Sequence, residues 1–338
     1  MNINNKKYTR EDILRRNNPS ALYGARRIVI ADGRARGHRM IEVKTSGGLR
    51  AMISEDRCLD IIDLEYKGVN LAFLSKNGIV NSSIANPENN SFAKYWQGGF
   101  LATCGLRNTG GACEVDDELF PIHGHIGQTQ AEATNIYVDE SVIAIIGIIR
   151  ETSLFGHNLE MVRTITIPSD GAKITVKDVI HNLAPEDEAV FLLYHINFGF
   201  PFLNEDLELQ FPKGAVRGRT EYAQSVITEH TKITAPIDGA QEVVFFHTPD
   251  EGKSDVQVQL VNKLLGVRAA ISYDRERLPV LAQWKCMRSG DYALGIEPGT
   301  SFIRGRKDEL AHGYDIKIPG FGELSFGFTL EVDSLWKN

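Results

Sequence analysis

The chain has 338 residues, 42% of them hydrophobic and 24% charged, with a formal net charge of −7. That length allows one large β domain or two ordinary ones and a sizeable core. The acidic balance argues against nucleic acid or an anionic membrane as partner. No apolar run could span a bilayer as a helix, and MNINNKKYTREDILRR lacks the apolar centre of a signal peptide, so the cytoplasm is the expected compartment.

In chain order, the first predicted element is a short helix in an N-terminal extension over about 1–25. Thr9 is placed to cap it, Asp12 takes the capping-box position, and Ile13 and Leu14 supply its apolar side. Strand-like segments follow at Arg27 to Ala31, Met40 to Thr45, Arg50 to Ile53 and Asp60 to Tyr66. Gly, Asp and Asn turn signals separate them. The arginines at 26, 27, 34, 36 and 39 read as solvated strand faces. Residues 76–93, rich in Asn and Ser, read as a long surface loop that covers a site.

Further strands are expected at Ser141 to Arg150, Asn158 to Ile167, Ala172 to His181 and Val190 to Phe198. The alternation in Lys173–Ile174–Thr175–Val176–Lys177 marks one wet face. The later half continues with Glu242 to His247, Asp255 to Leu260, Val267 to Tyr273, Val280 to Lys285 and Glu323 to Leu330. No long helix alternates with these strands and no Pro/Ser-rich linker divides them. The expectation is a single all-β domain over 1–338, a large antiparallel sandwich or barrel. Its exposed strand edges are compatible with a homodimer. The cysteines at 58, 104, 113 and 286 form no CxxC and read as reduced thiols, with a Cys104/Cys113 metal pair as the less favoured alternative.

Polar groups inside apolar strands point to chemistry, because burying them costs free energy unless they are paired or used. In Phe191-Leu-Leu-Tyr-His195-Ile-Asn197-Phe, His195 and Asn197 share one strand face, and burial keeps His195 near neutrality and able to trade a proton. A core histidine bonded to backbone is the other reading. Glu297 follows an apolar strand and precedes Pro298-Gly299. It is either a general base at a pocket rim or a solvated turn residue. In Pro121-Ile-His123-Gly-His125 the two histidines read as one strand face, and Gly124 permits close approach of a ligand. HxH followed by Glu132 also suggests a cupin-type metal site, although the spacing is too long and the second cupin motif is missing.

Arg57 stands at the bend of a strand–turn–strand. It reads as a fork for hydroxyls or a carboxylate, or as an ion-pair partner of Asp56 or Asp60. Gly105-Leu-Arg107-Asn108-Thr-Gly-Gly111 is glycine-rich but lacks the context of a phosphate loop. Arg107 and Asn108 are its polar groups for a ligand. Trp284, between Gln283 and Lys285, offers a face for stacking on a sugar ring, or else packs in the core.

Taken in order, His123-Gly124, Asn182-Leu-Ala, Tyr194-His195-Ile-Asn-Phe198, Gly295-Ile-Glu297-Pro and Ile318-Pro-Gly-Phe-Gly-Glu323 resemble the aldose 1-epimerases, the galactose mutarotase-like family. Asp56-Arg-Cys-Leu-Asp-Ile61 resembles a D-R-G-L-D-I segment of an uncharacterised branch of it, with Cys58 in place of glycine. His125 after the HG, and Asn197-Phe198 in place of tyrosine–phenylalanine, are further departures. The resemblance implies a β-supersandwich that binds a small carbohydrate on a concave sheet face, with no metal and no cofactor. It implies Glu297 as base on the anomeric hydroxyl and His195 as acid on the ring oxygen, the two lying on opposite sides of the sugar. His123, His125, Arg57, Arg107, Asn108, Asn197 and Trp284 complete the expected substrate contacts. A cupin-like metal isomerase or lyase using His123, His125 and His195, and a non-catalytic carbohydrate-binding protein, are the competing readings.

Overall fold

A computed structural model describes residues 2–3, 6–84, 92–250 and 254–336. The chain forms a large antiparallel β-sandwich. One sheet has eight strands in the spatial order Ala133–Val138, Val142–Thr152, Asn158–Pro168, Lys173–Asn182, Glu323–Ser334, Val267–Asp274, Asp255–Asn262, Leu207–Gln210. The facing sheet runs Gly214–Gly218, Val243–Pro249, Val280–Arg288, Asp291–Gly299, Glu188–Phe198, Ile316–Ile318, and Leu101–Leu106 also pairs with Glu188–Phe198. A third sheet has five strands over 24–70. Among the described residues no helix is long and apolar enough to cross a membrane.

Side-chain parity explains the layering. Asn158–Pro168 alternates buried and half-buried positions along its length, as a strand with one core face must. Glu188–Phe198 is buried from Val190 onward on both faces. Its even-numbered residues Leu192, Tyr194, Ile196 and Phe198 join the main core with Ile165, Ile180 and Phe328 of the opposite sheet. Its odd-numbered residues, His195 and Asn197 among them, therefore point out of the other face of the sheet. On the neighbouring strand Leu294 and Ile296 enter the same core, so Gly295 and Glu297 share the outward face with His195.

Several local expectations hold for identifiable reasons. The first helix spans Arg10–Leu14, and both halves of its capping box form: Asp12 N–H donates to Thr9 Oγ1 and Thr9 N–H to Asp12 Oδ2, each at 3.1 Å. The turn after Leu49–Ser54 places Cys58 at φ 54°, a left-handed conformation that glycine adopts most easily, which accounts for the glycine preference at that position of the resembled motif. Asn182 is buried, donates to the carbonyls of Glu186, Ile318 and Pro319, and so ties its own turn to the Pro319–Gly322 turn.

Other expectations change. The strands Leu101–Leu106 and Ala133–Val138 carry no strong alternation, and only pairing with longer neighbours makes them strands. The segment around His123 is a turn, not a strand. His123 has φ 61° and Gly124 φ 72°, so His123 and His125 do not share a strand face. A Cβ on Gly124 would lie 2.3 Å from the Gly105 carbonyl oxygen, hence the HG dipeptide. Within the loop expected over 76–93, residues 85–91 lie outside the described residues.

Candidate active site

Three strands build the site by register alone. Pairing of Ile196 with Ile296 and Asn197 with Gly295 sets His195 directly across from Glu297. The next strand places Ala282 opposite Glu297 and Trp284 opposite Gly295, while Ala102 lies across from His195 on the other side. His195 and Glu297 are thus flanked by alanines, which leaves their side chains room above the sheet. Gly295 completes that room: a Cβ there would stand 2.2 Å from Glu297 Oε1 and 3.0 Å from Trp284 Cβ.

His195 Nε2 lies 3.2 Å from Glu297 Oε1. The approach is short enough for an ion pair but misaligned for a hydrogen bond, and Glu297 Oε1 has no other partner although fully buried. Burial pushes the Glu297 carboxyl up to about 8, against the opposing pull of Arg219 and with a smaller upward push from Glu242. Burial also pushes the His195 imidazole down to about 4, against the opposing hydrogen bond to Asn197. At neutral pH this pair carries one proton between its two members.

Asn197 sets the tautomer of His195. Its amide nitrogen donates to the carbonyls of Gly99 and His195, so its Oδ1 faces His195 Nδ1 at 2.6 Å as an acceptor. The imidazole proton therefore sits on Nδ1, and the Nε2 lone pair faces Glu297. Replacing Asn197 by Ala strands a buried donor, a cost of about 1–3 kcal/mol of stability, and frees the imidazole to take the other tautomer, which should lower kcat. Asn197→Asp should also raise the lower apparent pKa of the pH–rate profile. An unmoved acid limb would reduce Asn197 to packing.

The pair opens into a cavity of about 700 Å³. Phe73, Phe92, Trp96 and Trp284 form an aromatic wall beside it, with Trp96 and Trp284 each 5.4 Å from the His195 ring, centroid to centroid. The Trp284 indole N–H donates to Glu242 Oε2 at 2.7 Å, which fixes its ring. Aromatic faces bounded by polar groups suit the apolar C–H face and hydroxyl edge of a sugar. Lys76, Asn77, Phe92 and Ala93 also line the cavity, in keeping with a loop that covers a site.

His123 also lines the cavity, 5.8 Å from His195 between ring centroids. Burial, then His195 and Arg219, lowers its pKa to about 3. Its Nδ1 accepts the Gly110 N–H at 3.3 Å, so the ring proton is on Nε2, available to a ligand oxygen.

The remaining expected contacts lie elsewhere. Arg57 is buried and donates to Gln128 Oε1 and to the Val80 carbonyl. It lines a separate small pocket of about 40 Å³ that meets the large cavity, among the described residues, at Phe92, Trp96, Ile122 and His123. It pairs with neither Asp56 nor Asp60, which are taken by Arg39 and Arg163. Arg107 is held by Glu118 and Glu188 against Phe120. Asn108 donates to the Gly111 and Pro121 carbonyls and accepts the Arg306 N–H. Both brace the glycine-rich loop and do not touch the cavity. His125 heads the 3-10 turn Ile126–Gln128 and is not among the cavity side chains, so the three histidines of the metal reading do not converge. Among the described residues no group of three or more His, Cys, Asp or Glu is placed to hold a metal ion. Cys113 lies against Asn108, and all four cysteines are free thiols.

The sequence reading missed Trp96, Phe73, Arg219, Glu242 and Gly295. Gly295 had a signal, since G-x-E on one strand face makes space for the carboxylate. The others sit on loops or edge positions that no local pattern marks.

The fold is a galactose mutarotase-like β-sandwich. A candidate aldose 1-epimerase from Klebsiella pneumoniae subsp. pneumoniae superposes with a TM-score of 0.87 at 22% identity, over 93% of this chain and 88% of that one. A galactose mutarotase-like protein from Clostridium acetobutylicum gives 0.66 at 15%, over 93% and 99%, and the galactose 1-epimerase of Lactobacillus acidophilus gives 0.61 at 11%, over 92% and 99%. The chain belongs to the family of the domain of unknown function DUF4432, whose model matches residues 35–332. Comparison with curated proteins finds no match.

Proposed function

We propose that this protein interconverts the anomers of a free sugar by acid–base ring opening. The observation that carries the reading is the His195–Glu297 pair: buried, 3.2 Å apart and facing an aromatic-walled cavity. The anomeric hydroxyl and the ring oxygen are both attached to C1. Acid and base therefore need not lie on opposite sides of the sugar, and cross-strand neighbours reach both atoms.

Burial favours the proton on Glu297 with neutral His195. Transfer to His195 gives the carboxylate–imidazolium pair. Glu297 then takes the proton of the anomeric hydroxyl while His195 gives its proton to the ring oxygen, and the bond from C1 to that oxygen breaks. The open aldehyde forms, and the proton is back on Glu297. Rotation about C1–C2 and the reverse transfers close the ring on the other face, so protons balance over the cycle. His123 donates its Nε2 proton in a hydrogen bond to a sugar oxygen, and Trp284 and Trp96 hold the ring.

Anomer exchange followed by NMR over a panel of aldoses and uronates tests this. The expected kcat/KM profile is a bell with limbs near pH 4, where both members become protonated, and near pH 8, where the proton is lost. No acceleration on any sugar at any pH in that window would end the proposal.

A further inference from the structure

We infer that Arg219 selects a sugar bearing an anionic substituent away from C1. The inference rests on reading the cavity as a sugar site and names the class of sugar it takes. Arg219 follows the strand Gly214–Gly218, and its main-chain N–H donates to the Val244 carbonyl, which places it at the rim of the cavity that holds His195 and Glu297. One guanidinium nitrogen, Nη2, donates to the Ile303 carbonyl at 3.3 Å. Among the described residues no carboxylate lies within ion-pair distance of it.

The cavity's own acids do not supply its counter-charge. Glu242 accepts the Trp284 indole N–H and lies beyond ion-pair distance of Arg219, Asp291 is paired with Lys76 at 2.8 Å, and burial raises the Glu297 carboxyl to about 8. Arg288 is a second cavity cation with no carboxylate partner among the described residues. Arg219 is exposed in the open cavity, within reach of water. A sugar settling on the aromatic wall displaces that water. Under a neutral sugar the guanidinium keeps one carbonyl and weak hydroxyl acceptors, which is an incomplete exchange. A carboxylate or phosphate instead accepts a bidentate pair from the guanidinium edge left free by Ile303. With His195 and Glu297 occupied by the two oxygens on C1, the anion must be carried elsewhere on the ring.

The test is equilibrium binding of galactose, galacturonate and galactose 6-phosphate, read from tryptophan fluorescence, since Trp96 and Trp284 line the cavity. Anomer exchange of the same sugars is measured beside it. For the wild type, at least one anionic sugar should bind about 10-fold or more tightly than galactose, with an advantage that shrinks as salt rises. Arg219→Ala should weaken that anionic sugar by about 10–100-fold and galactose by a much smaller factor. Arg219→Lys, which keeps the charge but not the fork, should restore part of the loss. Whichever of galacturonate and galactose 6-phosphate binds more tightly assigns the anion as carboxylate or phosphate. Equal or tighter binding of galactose, equal weakening of all three by Arg219→Ala, or binding of none overturns the inference. An Arg219-dependent anion preference without anomer exchange would sink the mutarotase reading and leave this inference standing. Fast exchange of galactose with no anion preference would do the reverse.

Discussion

Glu297→Gln is expected to lower kcat for anomer exchange by about 10²–10⁴-fold with little change in KM, as removal of a general base does. The amide matches the carboxyl in shape and can still face His195, but it cannot hold the shuttled proton. The same variant should lose a pH dependence of stability. Burial raises the Glu297 carboxyl from 4.5 to about 8, so folding favours its protonated form. The stability it contributes is whole below about pH 4.5 and falls as pH rises toward 8, at up to about 1.4 kcal/mol per pH unit. The glutamine variant should therefore outlast the wild type at pH 8–9 in urea unfolding, while being the less active enzyme. A catalytically dead variant that is also less stable at alkaline pH would mean that Glu297 is a structural carboxylate held by contacts other than those described.

Arg163→Ala is expected to destabilise the fold by about 3–5 kcal/mol, the scale for removing one partner of a buried ion pair. Arg163 is fully buried between the two large sheets. It meets Asp178 with two parallel bonds of 2.8 and 2.7 Å, and it donates to Asp60 Oδ1 at 3.0 Å and to the Cys58 carbonyl at 2.9 Å. Asp178 in turn accepts the Tyr194 hydroxyl at 2.8 Å, and Asp60 accepts the Thr103 N–H and hydroxyl. The network joins both sheets directly beneath His195, because Tyr194 is its neighbour on the opposite face of the strand. Removing Arg163 leaves two carboxylates in the core without their cation. A urea midpoint shift equivalent to less than about 1 kcal/mol would show that water or protonation of the acids replaces it.

The strands of the eight-stranded sheet were legible because one face of each meets solvent. Lys173–Asn182 and Asn158–Pro168 write that difference into alternate residues. His195 was legible because an imidazole in an otherwise apolar strand is costly unless used, and Asn197 two residues on had to share its face. Arg57, Arg107 and Asn108 read equally well as ligand contacts. The structure spends them inside the protein, on Gln128, on Glu118 and Glu188, and on the loop carbonyls at 111 and 121. A polar residue in a glycine-rich turn looks the same in sequence whether it braces the turn or faces a ligand, since its partner is remote along the chain.

What the sequence determined by itself was the β character, the parity of each strand and the residue types able to exchange a proton, all of which depend on neighbours one or two residues away. What only the tertiary structure decided was which of those groups meet. Register across strands 102 residues apart puts His195 opposite Glu297. Burial in the packed site, where Trp96 from a loop and Trp284 from a third strand lie against His195, moves the Glu297 pKa up and the His195 pKa down past each other. Desolvation and cross-strand register are properties of the packed sheet, and no local stretch of sequence encodes them.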